Sequence, residues 1–309
     1  MVLQIFDAHC DMLLKLWENP KIDVFKDDRL HVTISSLKKG NKSIQCFAIF
    51  VPENIPFSQR LSVAQQQINI FYQKILHQYP EIKLIKTKAD LEDLKEGETG
   101  AILTLEGCDA IGDQIANLEL LYELGIRSVG LTWNYANLVA DGVLEKRNAG
   151  LTNFGREVIC FLNRQKMWTD LSHASERSFW EALDLADYPI TTHSNVYQLC
   201  SHVRNLKDEQ IVALFRKKGV IGVTFVPFFT SDQSKPTIAT LIKHVDYLCS
   251  LGGENQIGFG SDFDGIDETI VGLENYSCYE ELANELLRHY SDTQVKKFLY
   301  RNLVDYLPF

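Results

Sequence analysis

Near the N-terminus, the segment "LQIFDAHCDM" interrupts an apolar run with Asp7, His9 and Asp11. In an extended strand alternate side chains share a face, so these three would converge on one side while Phe6, Ala8 and Cys10 occupy the other. A polar strand face with no function is the plain alternative. Four more residues of the same chemical kinds close apolar runs further along: Glu106 in "AILTLEGCD", His173 in "WTDLSHAS", His193 in "PITTHSN" and Asp262 in "IGFGSDFDG".

Imidazole and carboxylate together suit zinc, and a catalytic zinc keeps a coordination position open for water or substrate. Three histidines and two carboxylates exceed what one such ion needs, which points to a two-metal centre with a bridging carboxylate. Two metals roughly 3.5 to 4 Å apart can share a hydroxide, lower its pKa and polarise a carbonyl, the chemistry of amide hydrolysis. Amide cleavage also needs a proton donor for the departing amine, and Asp262 is placed to supply it, with Asp264 the weaker choice. Arg204, in "CSHVRNLKDEQ", either binds a substrate carboxylate through two parallel N–H contacts or is an exposed arginine before a helix. Asp262, Asp264 and Asp267 do not match an EF-hand, and no glutamate closes such a loop.

These residues need a scaffold that collects strand ends. Short apolar runs alternate with helical patterns throughout, and candidate strands fall at Leu3–His9, Ser43–Val51, Gly100–Leu105, Ser128–Trp133, Met167–Leu171, Pro189–Thr192, Val220–Phe225 and Gln256–Gly260. That rhythm predicts an α/β fold, a (β/α)8 barrel of TIM type, with a doubly wound open sheet as the alternative. In a barrel the active site forms where strands end, so His9, Asp11, Glu106, His173, His193 and Asp262 share one rim. Between the strands, Leu61, Ile68, Phe71, Ile75 and Leu76 repeat at helical spacing before Pro80. Thr152 or Asn153 caps a second helix, and a third opens on Asp208 and Glu209 and ends at Gly219.

The 309 residues are 45% hydrophobic and 23% charged, with no Pro/Gly/Ser-rich linker, which predicts one globular domain over residues 1–309. The formal net charge of −10 leaves no electrostatic footprint for nucleic acid or an anionic membrane. Seven scattered cysteines without a C-x-x-C pair argue against a disulfide framework or a cysteine zinc knuckle. With neither a membrane-spanning stretch nor a signal peptide, the expected location is cytoplasmic.

The ordered set "DAHCD", "LEGCDAI", "DLSHAS", "THSN", "CSHVRNLKDEQI" and "GFGSDFDG", from Asp7 to Gly265, resembles the membrane dipeptidase family of metallopeptidases. The resemblance implies a metal-dependent hydrolase barrel with a binuclear zinc site that cleaves dipeptides. By motif, His9 and Asp11 would bind one zinc, Glu106 would bridge, and His173 and His193 would bind the other. Arg204 would take the dipeptide's terminal carboxylate, and Asp262 would transfer the proton after attack of the metal-bridging hydroxide.

One departure stands out. Mammalian members carry a histidine after the L-T-x-T strand, where this chain has Trp133 in "GLTWNYAN". An indole N–H can donate one hydrogen bond but cannot accept a proton, so Trp133 or Asn134 replaces that substrate contact, zinc alone holds the oxyanion, or Trp133 is an aromatic pocket wall. Likeness to bacterial members implies L-Xaa-D-Xaa dipeptides as first substrates and a homodimer as the assembly. The competing readings are another binuclear-metal amidohydrolase acting on a different amide, and a metal-dependent peptide-binding protein without catalysis. Barrels of the former kind usually carry H-x-H and a carboxylated lysine, where this chain has H-x-D and Glu106.

Overall fold

Among the described residues nine parallel strands make up the sheet: β1 (Phe6–Asp7), β2 (Ser43–Phe50), β3 (Ile82–Leu84), β4 (Thr99–Glu106), β5 (Ile126–Gly130), β6 (Trp168–Asp170), β7 (Pro189–Ile190), β8 (Ile221–Val223) and β9 (Ile257–Phe259). The computed structural model describes residues 3–232 and 235–309. Eight of the strands run in the order β7-β6-β5-β4-β2-β1-β9-β8. A parallel bridge between Thr191 and Ile221 brings β7 back to β8, with Gly222 N donating to Thr191 O at 2.7 Å. The result is a nearly closed (β/α)8 barrel, and each of the eight predicted strands overlaps one of its members.

The ninth strand, β3, was not expected. It pairs with Thr99–Ala101 at the start of β4, along the edge that β5 takes over from Leu103 onward. Its three residues are too few to show a period, and only Ile82 is buried.

The long strands alternate between two apolar environments. Ile44 and Cys46 of β2 join Phe6, Ile102, Trp168 and Ile190 in a cluster drawn from around the ring, which is the barrel interior. Phe47 and Ile49 face the other way, into the larger cluster shared with the helices. Both faces are therefore covered, as parallel sheets require. Leu303 and Leu307 plug the bottom of the barrel, where Trp168 Nε1 donates to Tyr306 O at 3.1 Å. Every site residue is thereby left to the opposite rim.

The helices follow their sequence signals with one exception. Thr152 caps the helix Asn153–Arg164, its Oγ1 accepting from Gly155 N at 2.9 Å. After the helix Asp208–Arg216 the left-handed residue is Lys218, not Gly219. Gly219 is required for another reason, since a Cβ there would press to 2.6 Å from Pro189 O.

Candidate active site and metal centre

β1 ends at Asp7, so the expected polar face of Asp7, His9 and Asp11 does not form as one strand. Asp7 is wholly buried and accepts from Ser261 N at 2.8 Å, Ser261 Oγ at 2.7 Å and His9 N at 3.3 Å. It ties the end of β1 to the end of β9, and Asp262 N donates to His9 O at 3.1 Å across the same seam. Asp11 occupies the N-cap of the helix Met12–Glu18, yet its side chain makes no capping bond. Its carboxylate turns inward instead, with Oδ2 3.3 Å from His9 Nε2.

Glu106 is the last residue of β4, and Gly107 turns the chain with a left-handed φ of 80°. His173 and His193 each lie three residues beyond their strands, β6 and β7. Glu106 Oε1 is the common point: it lies 2.9 Å from His173 Nε2, 3.5 Å from His193 Nε2 and 3.8 Å from His9 Nε2. Asp262 Oδ1 stands 3.8 Å from His9 Nε2 on the other side. Gly265 completes the floor, because a Cβ there would collide with the carboxylates of Asp11 and Asp262.

Two overlapping ligand sets result, His9–Glu106–His193 and His9–Asp11–Asp262, each with donor atoms within 4.8 Å of one another. The donors fit a pair of N/O-ligated divalent cations. Among the described residues His9 Nε2 is buried without a hydrogen-bond partner, and the Nε2 atoms of His173 and His193 meet at 2.8 Å. Asp262, expected as a proton carrier, sits as close to His9 as a ligand would.

The electrostatics agree. Burial alone would lower His9, but Asp11 and Glu106 outweigh it and hold the imidazole up at about 10. Burial pushes Glu106 well above the usual carboxylate range and Asp262 up to about 7, with Asp11 adding to both. Burial also drives His173 and His193 well below 6.5, reinforced by Arg204 and His9. Carboxylates crowded into a low-dielectric floor favour cations there, and neutral imidazoles are ready ligands.

Above this floor opens a cavity of about 350 Å³ walled by Leu14, Phe50, Trp133, Val226, Phe228 and Ile266. Trp133 packs its indole 5.2 Å from the Phe50 ring and 6.1 Å from His173, an aromatic wall. Asn134 also lines the cavity, and its Oδ1 lies 2.9 Å from His173 Nδ1. Arg204 is 4% exposed, which removes the reading of a surface arginine. Its Nη1 donates to Ser172 O and its Nη2 to His193 O at 3.2 Å, while its buried Nε has no partner among the described residues. Asp264 stands apart from the site chemistry, its carboxylate accepting from His31 N at 2.7 Å and Val32 N at 3.2 Å.

Residues 2–307 match the family model described as membrane dipeptidase, peptidase family M19. This chain belongs to that family. It is similar to the uncharacterized protein in the pqqA 5' region of Klebsiella pneumoniae, 34% identical over 78% of this chain and 94% of the relative. The dipeptidase tcpJ of Claviceps purpurea is 30% identical over 90% of this chain and 69% of its own length. A metallopeptidase from Rhodobacter sphaeroides, solved with a phosphinate mimic of the dipeptide L-Ala-D-Ala, superposes with a TM-score of 0.91 at 25% identity over 99% of each chain. The M19 chain is thus a hydrolase of the metallodipeptidase class. Among its described residues no helix is long and apolar enough to cross a membrane.

Sequence reasoning missed several residues of this M19 site. His202 lines the cavity, its ring 4.4 Å from Phe229 and its Nδ1 accepting from Arg204 N at 3.2 Å. Phe228 and Phe229 read as ordinary apolar residues, and only their position after β8 marks them as rim residues. Asp170 and Thr192, inside quoted motifs, lie behind His193 and gave no signal of their own.

Proposed function

We propose that this M19 protein hydrolyses dipeptides with two zinc ions, held by His9, Asp11, Glu106, His173 and His193, and that it accepts a D-residue at the C-terminal position. The observation that carries the reading is Glu106 Oε1 within 3.8 Å of three histidine Nε2 atoms, on the floor of a cavity that also presents Arg204. Nitrogen and oxygen donors favour zinc over calcium or magnesium. The Rhodobacter relative's L-Ala-D-Ala mimic supports the stereochemistry. When bound, the ions supply a nucleophile from water at neutral pH and polarise the peptide carbonyl.

The chain's own groups do the rest. Arg204 receives the terminal carboxylate through its Nε–H and the N–H groups left over on its Nη atoms, each of which gives one hydrogen to Ser172 O or His193 O. Asp262, whose Oδ1 stands 3.8 Å from His9 Nε2 at the cavity floor, takes a proton from the attacking water and returns it to the departing amine. The apolar walls exclude water from the reacting bond. The family match over residues 2–307 supports reading the chain as one domain, and a homodimer acting in the cytoplasm completes the proposal.

The test is zinc content of the purified protein beside amino-acid release from a panel of L-L and L-D dipeptides, before and after chelation. Near two zinc per chain with release abolished by chelator is the expected result. Two metals without release on any dipeptide would move the reaction to another amide.

A further inference from the structure

His193 is oriented from behind by a chain of hydroxyl and carboxylate, and with Asp170 ionised the proton count in that chain has one solution. Thr192 Oγ1 lies 2.8 Å from His193 Nδ1 and 2.5 Å from Asp170 Oδ2. Asp170 Oδ1 is already filled by Ser172 N at 3.0 Å, Ser172 Oγ at 2.6 Å and Thr192 N at 3.1 Å. A carboxylate only accepts, and a hydroxyl has one proton. Thr192 therefore gives its proton to Asp170 and has only a lone pair left for His193, whose Nδ1 must carry the hydrogen. Nε2 is then bare, 2.8 Å from His173 Nε2 and 3.5 Å from Glu106 Oε1.

We infer that Thr192 and Asp170 are positioning residues that set the metal-binding tautomer of His193, an inference that rests on the metal reading of the site. Metal-bound histidines commonly give their second N–H to a carboxylate directly. Here the carboxylate acts through a threonine, because Asp170 closes β6 and spans to Thr192 just past β7. The same bonds fix the spacing of the two loops that carry His173 and His193. The Thr192 carbonyl packs so closely on Gly222 and Gly260 that a Cβ on either would overlap it.

The two residues predict different failures. Thr192→Val keeps the shape and removes the acceptor, so either tautomer becomes available. In Asp170→Asn the amide oxygen stays with its three donors and the NH2 faces Thr192, whose proton must then turn to His193 Nδ1. That variant places the hydrogen on Nε2, the wrong nitrogen for a ligand. Thr192→Ser preserves the relay.

The experiment dialyses the zinc-loaded full chain against graded chelator and measures retained zinc, with thermal melting as a check on folding. Thr192→Val and Asp170→Asn are expected to lose zinc at free-metal levels about 10- to 100-fold above wild type, the usual cost of losing an outer partner. Thr192→Ser should match wild type. In zinc-free protein, 15N spectra of the histidine rings should show His193 protonated at Nδ1 in wild type and at Nε2 in Asp170→Asn. Equal retention by wild type and Thr192→Val, or a Thr192→Ser loss as large as that of valine, overturns the relay alone. A wild-type chain that takes up no zinc overturns the metal reading and the relay together. Should Asp170→Asn fail to fold, the valine and serine pair still decides.

Discussion

His173 and His193 face each other with their Nε2 atoms 2.8 Å apart. Two imidazole lone pairs hold that separation only with a proton or a cation between them, and Glu106 Oε1 adds negative charge at 2.9 and 3.5 Å from the pair. Glu106 is therefore the residue on which the cluster depends most.

Glu106→Gln keeps the shape and removes the charge. Its metal affinity should fall by more than the roughly 10- to 100-fold that loss of an outer partner costs. Zinc per chain after gel filtration, measured by elemental analysis, checks this. Wild-type retention in the variant would place the metal elsewhere.

Asp262→Asn separates two roles that the geometry leaves equally close. As a proton carrier, Asp262 is worth about 10²- to 10⁴-fold in turnover, and zinc content should not change. Turnover and zinc are measured on the same preparation. Zinc lost in step with activity would make Asp262 a ligand beside His9 and Asp11.

Arg204→Lys tests recognition of the substrate carboxylate. Lysine is a point charge without the guanidinium fork, so KM for dipeptides should rise about 10-fold or more, with a smaller change for dipeptide amides. The variant also leaves Ser172 O and His193 O short of donors, which costs about 1–3 kcal/mol of stability each if they stay buried. An equal loss on dipeptides and their amides would remove the carboxylate role.

His244 gives a pH dependence remote from the metal ligands. It is buried, its Nδ1 accepts from Val196 N at 3.1 Å and its Nε2 donates to Thr230 O at 2.9 Å, so its neutral form is built in. Burial lowers its pKa below 6.5. The unfolded chain therefore takes up a proton there before the folded one does. Its contribution to stability is complete above pH 6.5 and is lost as pH falls toward the folded value, at a slope of up to about 1.4 kcal/mol per pH unit. Denaturant unfolding from pH 7.5 to 5 should show a shallower decline in His244→Gln than in wild type. Parallel curves would refute the assignment.

The barrel and its rim were legible because the evidence for them is local. A strand buried on both faces needs a run such as "CFAIF" or "AILTL", and the polar residue that ends the run shares one rim with its counterparts whatever the remaining contacts. The six residues expected at the rim meet there. β3 escaped because three residues carry no period, and the shared face of Asp7 with His9 failed because a two-residue strand does not extend that alternation.

The amino-acid sequence by itself determined the class of fold, the chemical kinds of ligand and the end of the barrel where they gather. Only the tertiary structure decided what each group does there. Asp7 became a staple and Asp11, at a helix N-cap, a site carboxylate, because Ser261 and His9, not the helix, are their nearest partners. Arg204 came to be buried with its Nε unpartnered among the described residues, and Thr192 stood between Asp170 and His193, through contacts joining segments 11 to 32 residues apart. The direction of a hydrogen bond depends on which donors surround both partners at once, and no stretch of sequence contains that set.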